Sequence, residues 1–324
     1  MEEQYIKLSD LYKVKGIGEK TIERIKETLL QEKNDNTYNN KNIKYKDAFD
    51  LPLNNFYIGE SVEWMQDNMP SNFVDLTVTS PPYSDLRNYK GFLFNFECIA
   101  KELYRITKES GIVVWVVGDK IHNGGETLTP FKQGLYFKDI GFNMHDTMIY
   151  QKNAFPFPDK TRYAQVFEYV FVLSKGNPKT TNIKQVPTKV KNRNKNKKSS
   201  YRTQSGEVAP MLYTIGKDKR NKENIWLYEV GYMKTTKDKI AYKHPAQFPE
   251  QLAEDHILSW SNGGDIVFDP MCGAGTTCKM AWLNNRKFIG VDCSEEYIND
   301  ICIPRLKDYG WNPNNHQYNN KGDI

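Results

Sequence analysis

The sequence is poor in the residues that build disulfide frameworks and metal centres. Its five cysteines (98, 272, 278, 293 and 302) contain no Cys-x-x-Cys pair, and its five histidines lie scattered without ligand spacing. Neither a zinc site nor any other metal is therefore expected. Long apolar runs are also missing. Stretches such as Ile112–Val117 fall far short of a bilayer's thickness, so no membrane association is expected. The start Met1-Glu2-Glu3-Gln4 has neither a basic region nor an apolar stretch, and so does not read as a secretory signal. These absences together predict reduced thiols and a cytoplasmic location.

What is present is 324 residues, 39% apolar and 26% charged. That composition excludes wholesale disorder, and the length allows one large domain or two of about 100–200 residues each. The formal charge of +5 comes from 45 Lys plus Arg against 40 Asp plus Glu. Its distribution is uneven. Ten bases and no acid fall between Lys175 and Gly206, which leaves 35 bases against 40 acids elsewhere, a balance of −5. A cause for the positive charge must therefore be sought in that one stretch.

Apolar runs at Phe73–Thr79, Ile112–Val117, Met144–Tyr150 and Phe167–Leu173 read as strands, and Phe92–Thr107 has helical spacing. Periodicity is lost over 175–243. It returns as a helix at Phe248–Trp260, a strand at Asp265–Phe268, a helix at Thr276–Asn284 and a strand at Lys287–Val291. Alternation of this kind predicts an α/β fold with a mostly parallel sheet and one insert. The expected segments are 1–35 (two short helices about a glycine turn), 45–174, the insert 175–243, 244–310, and a polar tail 311–324.

Chemistry concentrates at the ends of two predicted strands. Asp269-Pro270-Met271-Cys272-Gly273-Ala274-Gly275-Thr276-Thr277 joins a strand to a helix through a turn with two glycines, where backbone can approach a ligand closely. No Gly-Lys-Ser/Thr closes it, so it is not a phosphate loop. The next strand ends in Asp292, placed to accept hydrogen bonds from a ribose diol. A plain tight turn explains the glycines alone; the added Asp292 favours a nucleoside-bearing cofactor. The second site is Ser80-Pro81-Pro82-Tyr83, directly after an apolar strand. Two prolines make a rigid turn that can aim a side-chain oxygen and a carbonyl at one amine, and Tyr83 offers a face for a base. A strand-ending turn is the bland account of the same residues.

Taken together, the two motifs resemble the S-adenosylmethionine-dependent amino-methyltransferases of DNA over most of 50–174 and 244–306. Asp269–Thr277 is similar to the family's cofactor turn, with Met271 where Phe is usual, and Thr79–Tyr83 to its catalytic segment. His244–Pro249, with Phe248 and Pro249, resembles the stretch around the methionine end of the cofactor, and Glu60 stands where the family often has Asp. Catalytic motif first and cofactor turn last corresponds to the β-type order. The resemblance implies a Rossmann-like methyltransferase fold with an inserted target-recognition region. It also implies S-adenosyl-L-methionine as cofactor, duplex DNA as partner, and a monomer or homodimer that in some systems works beside a cognate restriction endonuclease. Ser80 favours transfer to cytosine N4, with adenine N6 as the alternative. No Pro-Cys dipeptide occurs, which sets aside carbon-5 methylation of cytosine. The resemblance further suggests that Arg162 and Phe155–Pro158 line the base pocket and that Phe157 or Tyr163 stacks there.

Two segments are expected to contact DNA. Val14–Ile22 resembles a helix-hairpin-helix, with Gly16, Gly18 and Lys20 meeting a phosphate; a packing hairpin is the competing account. In the insert, Lys191, Arg193, Lys195, Lys197, Lys198 and Arg202 suit phosphate neutralisation, against the alternative of a solvated loop. Two other functions stay open on sequence alone: a non-catalytic DNA-binding protein with a relic cofactor pocket, and methylation of an RNA amine.

Overall fold

Apolar runs uninterrupted by polar residues need cover on both faces of a sheet, and here several of them meet side by side. The computed structural model describes residues 51–82, 94–154, 160–188, 200–210 and 218–313. The chain runs through β1 (Asn55–Ile58), α1 (Ser61–Asn68), β2 (Val74–Thr79), α2 (Phe96–Ile106) and β3 (Thr107–Val117). A small hairpin of β4 (Ile121–His122) and β5 (Gly125–Glu126) follows, then α3 (Thr129–Asp139), β6 (Asn143–Lys152) and β7 (Phe167–Ser174). The insert carries β8 (Gln185–Pro187), β9 (Ser200–Arg202), β10 (Val208–Pro210) and β11 (Lys219–Asn221), and then β12 (Ile225–Tyr228). After a 3₁₀ turn at Lys239–Lys243 come α4 (Glu250–Trp260), β13 (Ile266–Asp269), α5 (Thr276–Leu283) and β14 (Lys287–Asp292). A helical stretch closes the described chain: α6 (Glu295–Tyr297), a π turn at Ile298–Cys302, and α7 (Ile303–Lys307).

Among the described residues the central sheet has the order β1-β14-β13-β2-β3-β7-β6-β12. Its pairs are parallel except those of β7, which runs antiparallel to both β3 and β6. The mostly parallel Rossmann-like sheet expected from the sequence is thus present. Both faces are buried. Along β3, Val114 and Val116 pack with Leu76, Val78 and Val267, while Val113, Trp115 and Val117 join Phe268 and Ile289 on the other side. Trp115 is core, as its apolar strand suggested, and its Nε1 donates to Gln133 Oε1 (2.8 Å).

The helices follow from local sequence where their caps are local. Asn95 accepts from Cys98 N (3.2 Å) to start α2, which buries Ile99, Ala100, Leu103 and Ile106 along one stripe. By contrast, α3 receives its cap from a distance: the Asp119 carboxylate accepts from Leu128 N, Thr129 N and Thr127 Oγ1. The insert also differs from expectation. It forms two short antiparallel ribbons, β8 with β11 and β9 with β10, and its last strand, β12, joins the central sheet beside β6. Trp226 and Tyr228 of β12 are buried, so a segment without visible periodicity still supplies core.

Candidate active site

Three parallel strands deliver their ends to one cavity of about 640 Å³, a size usual for small-molecule sites. Ser80, Pro81 and Pro82 follow β2, the turn Pro270–Ala274 follows β13, and Asp292 ends β14; all of them line the cavity. The turn after β13 needs glycine. Gly273 (φ 51°) and Gly275 (φ 73°) are left-handed, and a Cβ at 273 would stand 2.9 Å from His244 Nε2. Gly273 N donates to Asp292 Oδ2 (2.8 Å) and Ser294 N to Oδ1 (2.9 Å), so this carboxylate fixes two turns while each oxygen keeps a further lone pair. Burial raises the Asp292 carboxyl above its ordinary range.

The end of β2 and the glycine turn after β13 are joined by a buried hydrogen bond. Thr79 Oγ1 donates to Asp269 Oδ1 (2.7 Å), which also accepts from Met271 N (3.2 Å). Beside it, Thr277 Oγ1 donates to Val78 O (2.9 Å). Burial outweighs these hydrogen bonds and pushes the Asp269 carboxyl up to about 7. At the α1 end, Glu60 Oε2 accepts from Val62 N (2.8 Å) and Glu63 N (3.0 Å) and so acts as the helix cap.

The segment 244–248 forms another wall. His244 meets the Tyr297 ring edge-on, with centroids 4.5 Å apart, and its Nδ1 accepts from Ala246 N (3.2 Å). Gln247 donates to the Ala241 and His244 carbonyls, while its buried Oε1 has no partner among the described residues. Beneath the glycine turn, Arg305 donates to Ala274 O (2.7 Å) and Thr276 Oγ1 (3.1 Å). Its other nitrogens reach Asp238 Oδ2 and Glu250 Oε1, both 2.6 Å away. Lys279 binds the same two carboxylates at 2.8 and 2.7 Å.

Most of the expected site residues are therefore brought together. Glu60, Ser80, Pro81, Pro82, Phe248, Pro270, Cys272, Gly273, Ala274, Thr276 and Asp292 stand on the cavity wall. Asp269, Gly275 and Thr277 lie behind it, and Pro249 precedes α4 as its N-cap. Tyr83, Phe157, the residues of 1–35 and Lys191–Lys198 lie outside the described residues. Arg202 sits exposed on β9, where it donates to Gly206 O (3.2 Å). Arg162 and Tyr163 are not on the wall: Arg162 turns to the Gly124 carbonyl at the β4–β5 hairpin, and Tyr163 is fully exposed. Sequence reading missed Ser61, Tyr150, Lys152, Glu168 and Tyr232, which do line the cavity. The alternation that puts Tyr150 and Lys152 on one face of β6 was the available signal.

The family model for DNA methylases matches residues 74–302, from the start of β2 through the π turn. The chain belongs to this N6/N4 DNA methylase family. The methylase is 58% identical over 247 residues to orphan methyltransferase M.BamHII of Bacillus amyloliquefaciens, covering 76% of this chain and 93% of the relative. It is 28% identical over 242 residues to DNA adenine methyltransferase YhdJ of Escherichia coli (strain K12), covering 71% and 75%. Among solved structures, PvuII DNA methyltransferase (cytosine-N4-specific) aligns with a TM-score of 0.53 and 20% identity over 78% of this chain and 89% of its own. TTHA0409 of Thermus thermophilus, complexed with S-adenosyl-L-methionine, aligns with a TM-score of 0.52 and 22% identity over 78% and 94%. The methylase shares their fold, and the sequence expectation of an S-adenosylmethionine-dependent amino-methyltransferase is met.

Proposed function

We propose that the methylase transfers the methyl group of S-adenosyl-L-methionine to the exocyclic N4 amine of a cytosine flipped out of duplex DNA at a specific sequence. The observation that carries this is the single cavity shared by the glycine turn, Asp292 and Ser80–Pro82. Its residues suit the cofactor. Gly273 brings its backbone to the cavity against His244 with no side chain of its own, the Asp292 oxygens keep lone pairs for a ribose diol, and Gln247 Oε1 is an acceptor without a partner among the described residues. When bound, the cofactor supplies an electrophilic sulfonium methyl. The Ser80 hydroxyl and Pro81 carbonyl accept the amine hydrogens, aim the nitrogen lone pair, and favour the positive charge that grows on nitrogen. Tyr83, next in the chain, offers its ring to the base. A cysteine nucleophile has no part in this step: burial raises the thiols of Cys272 and Cys302 far above the range of a reactive thiolate.

Serine in the tetrapeptide supports cytosine N4, while the adenine named for YhdJ makes N6 transfer the competing outcome. Digesting DNA treated with the methylase and identifying the modified nucleoside decides between them. N4-methylcytosine is expected; N6-methyladenine alone would overturn the base assignment. Ser80→Ala should lower transfer about 100-fold or more and change cofactor affinity less than about twofold. Abolished cofactor binding would place Ser80 in the cofactor site instead. The relative named an orphan methyltransferase favours a methylase that works without a cognate endonuclease. In that case host extract leaves unmodified DNA uncut at the methylated sequence.

A further inference from the structure

We infer that Lys152, held by Glu168, determines base specificity by donating a hydrogen bond to the ring nitrogen beside the target amine. The inference rests on the base-methylation reading above. Lys152 ends β6, and Glu168 lies near the start of the antiparallel β7, opposite Tyr150 in the register. Both therefore reach the edge of the sheet where β2 ends, and both line the cavity with Ser80, Pro81 and Pro82. The Lys152 ammonium donates to Glu168 Oε1 at 2.5 Å and lies 5.4 Å from the centre of the Tyr150 ring. Its backbone N–H is tied to Val166 O (2.7 Å), which fixes where the side chain starts.

An ion pair on a cavity wall adds little stability, because partial desolvation offsets much of its attraction. Its chemistry suits a ligand better. Cytosine and adenine each carry a ring nitrogen with an available lone pair beside the exocyclic amine, whereas thymine and guanine carry an N–H at the matching place. An ammonium has three hydrogens and no acceptor; one is committed to Glu168, and it can pair only with the first two bases. A lone cation there would oppose the positive charge developing on the attacking nitrogen. Glu168 makes the pair neutral overall and removes that opposition. Ser80 and Pro81 thus take the amine while Lys152 takes its ring neighbour, and the base is held in its plane at two points.

The test is a double-substitution cycle with the full chain and a duplex oligonucleotide carrying the methylated sequence. The target base is replaced by its analogue with CH for that nitrogen, 3-deazacytosine or 1-deazaadenine. The unaltered methylase should lose about 10–100-fold in kcat/KM on the analogue, the value of a charge-assisted hydrogen bond. Lys152→Met should lose a similar factor on the natural base and little more on the analogue, while Lys152→Arg recovers part of the loss. Cofactor affinity should be unchanged in both variants, which separates a missing hydrogen bond from a misfolded chain. Glu168→Gln should keep the sensitivity to the analogue and lower kcat. If Lys152→Met and the unaltered protein lose the same factor on the analogue, Lys152 does not touch the base and the inference falls. No transfer by the unaltered protein to the natural duplex would instead sink the base-methylation reading.

Discussion

Asp269 shows how one buried carboxyl can serve two halves of a site. Its carboxyl, pushed up to about 7 by burial, lies above the ordinary value of 3.8 that it takes in the unfolded chain. The folded state therefore holds the proton more tightly. The stability this contributes is complete below about 3.8 and is lost as pH rises through about 7. Asp269→Asn keeps an oxygen for Thr79 and Met271 but does not ionise. The stability of the variant relative to the unaltered protein should thus rise between about pH 4 and pH 8, which thermal unfolding across that range would show. A constant difference would mean that Asp269 stays charged. The tetrapeptide Ser80–Tyr83 and the turn around Gly273 were legible in the sequence because each is a contiguous string. The bond from Thr79 to Asp269 was not, since its partners are 190 residues apart. Lys152 and Glu168 were likewise hidden, because only the β6–β7 register brings them together.

At the scale of elements, the glycine turn after β13 depends on what lies under it. Arg305 of α7 is 1% exposed and ties the Ala274 carbonyl to Asp238 and Glu250, with Lys279 of α5 on the same two carboxylates. Burial alone would raise the Asp238 carboxyl, but hydrogen bonds from Lys279, Tyr309 and Arg305 bring it down to about 2. Arg305→Met should cost about 3–5 kcal/mol, because it removes one member of a buried charge cluster and leaves the others poorly paired. Denaturant unfolding measures this, and cofactor affinity should weaken with it; a loss below about 1 kcal/mol would show that the cluster repacks. Central strands were readable as elements, since continuous apolar runs announce burial on both faces. The helix α3 was not, because its cap comes from Asp119 across the hairpin. Nor was β12, whose four residues join the sheet through pairing with β6.

Over the whole molecule, charge and topology separate two tasks. The ten bases of 175–206 contrast with a balance of −5 over the rest of the sequence, and we propose that those of 191–202 attract phosphate. Changing Lys191, Lys195, Lys197 and Lys198 to Gln should lower the slope of log affinity against log salt by about 0.9 for each phosphate no longer neutralised. The methylated sequence should stay the same; an altered sequence would mean that these lysines read bases. The interleaving of β2 with β13 and β14 has a separate consequence, for synthesis. The ribosome makes β2 early, but its sheet neighbour β13 and the carboxylate of Asp292 come only after the insert is complete. Until then the cavity shared by the ends of these strands lacks two of its walls. Under the proposed function, a chain stopped before β13 should therefore be inert in a methyl-transfer assay, since the ends of β13 and β14 complete the cavity.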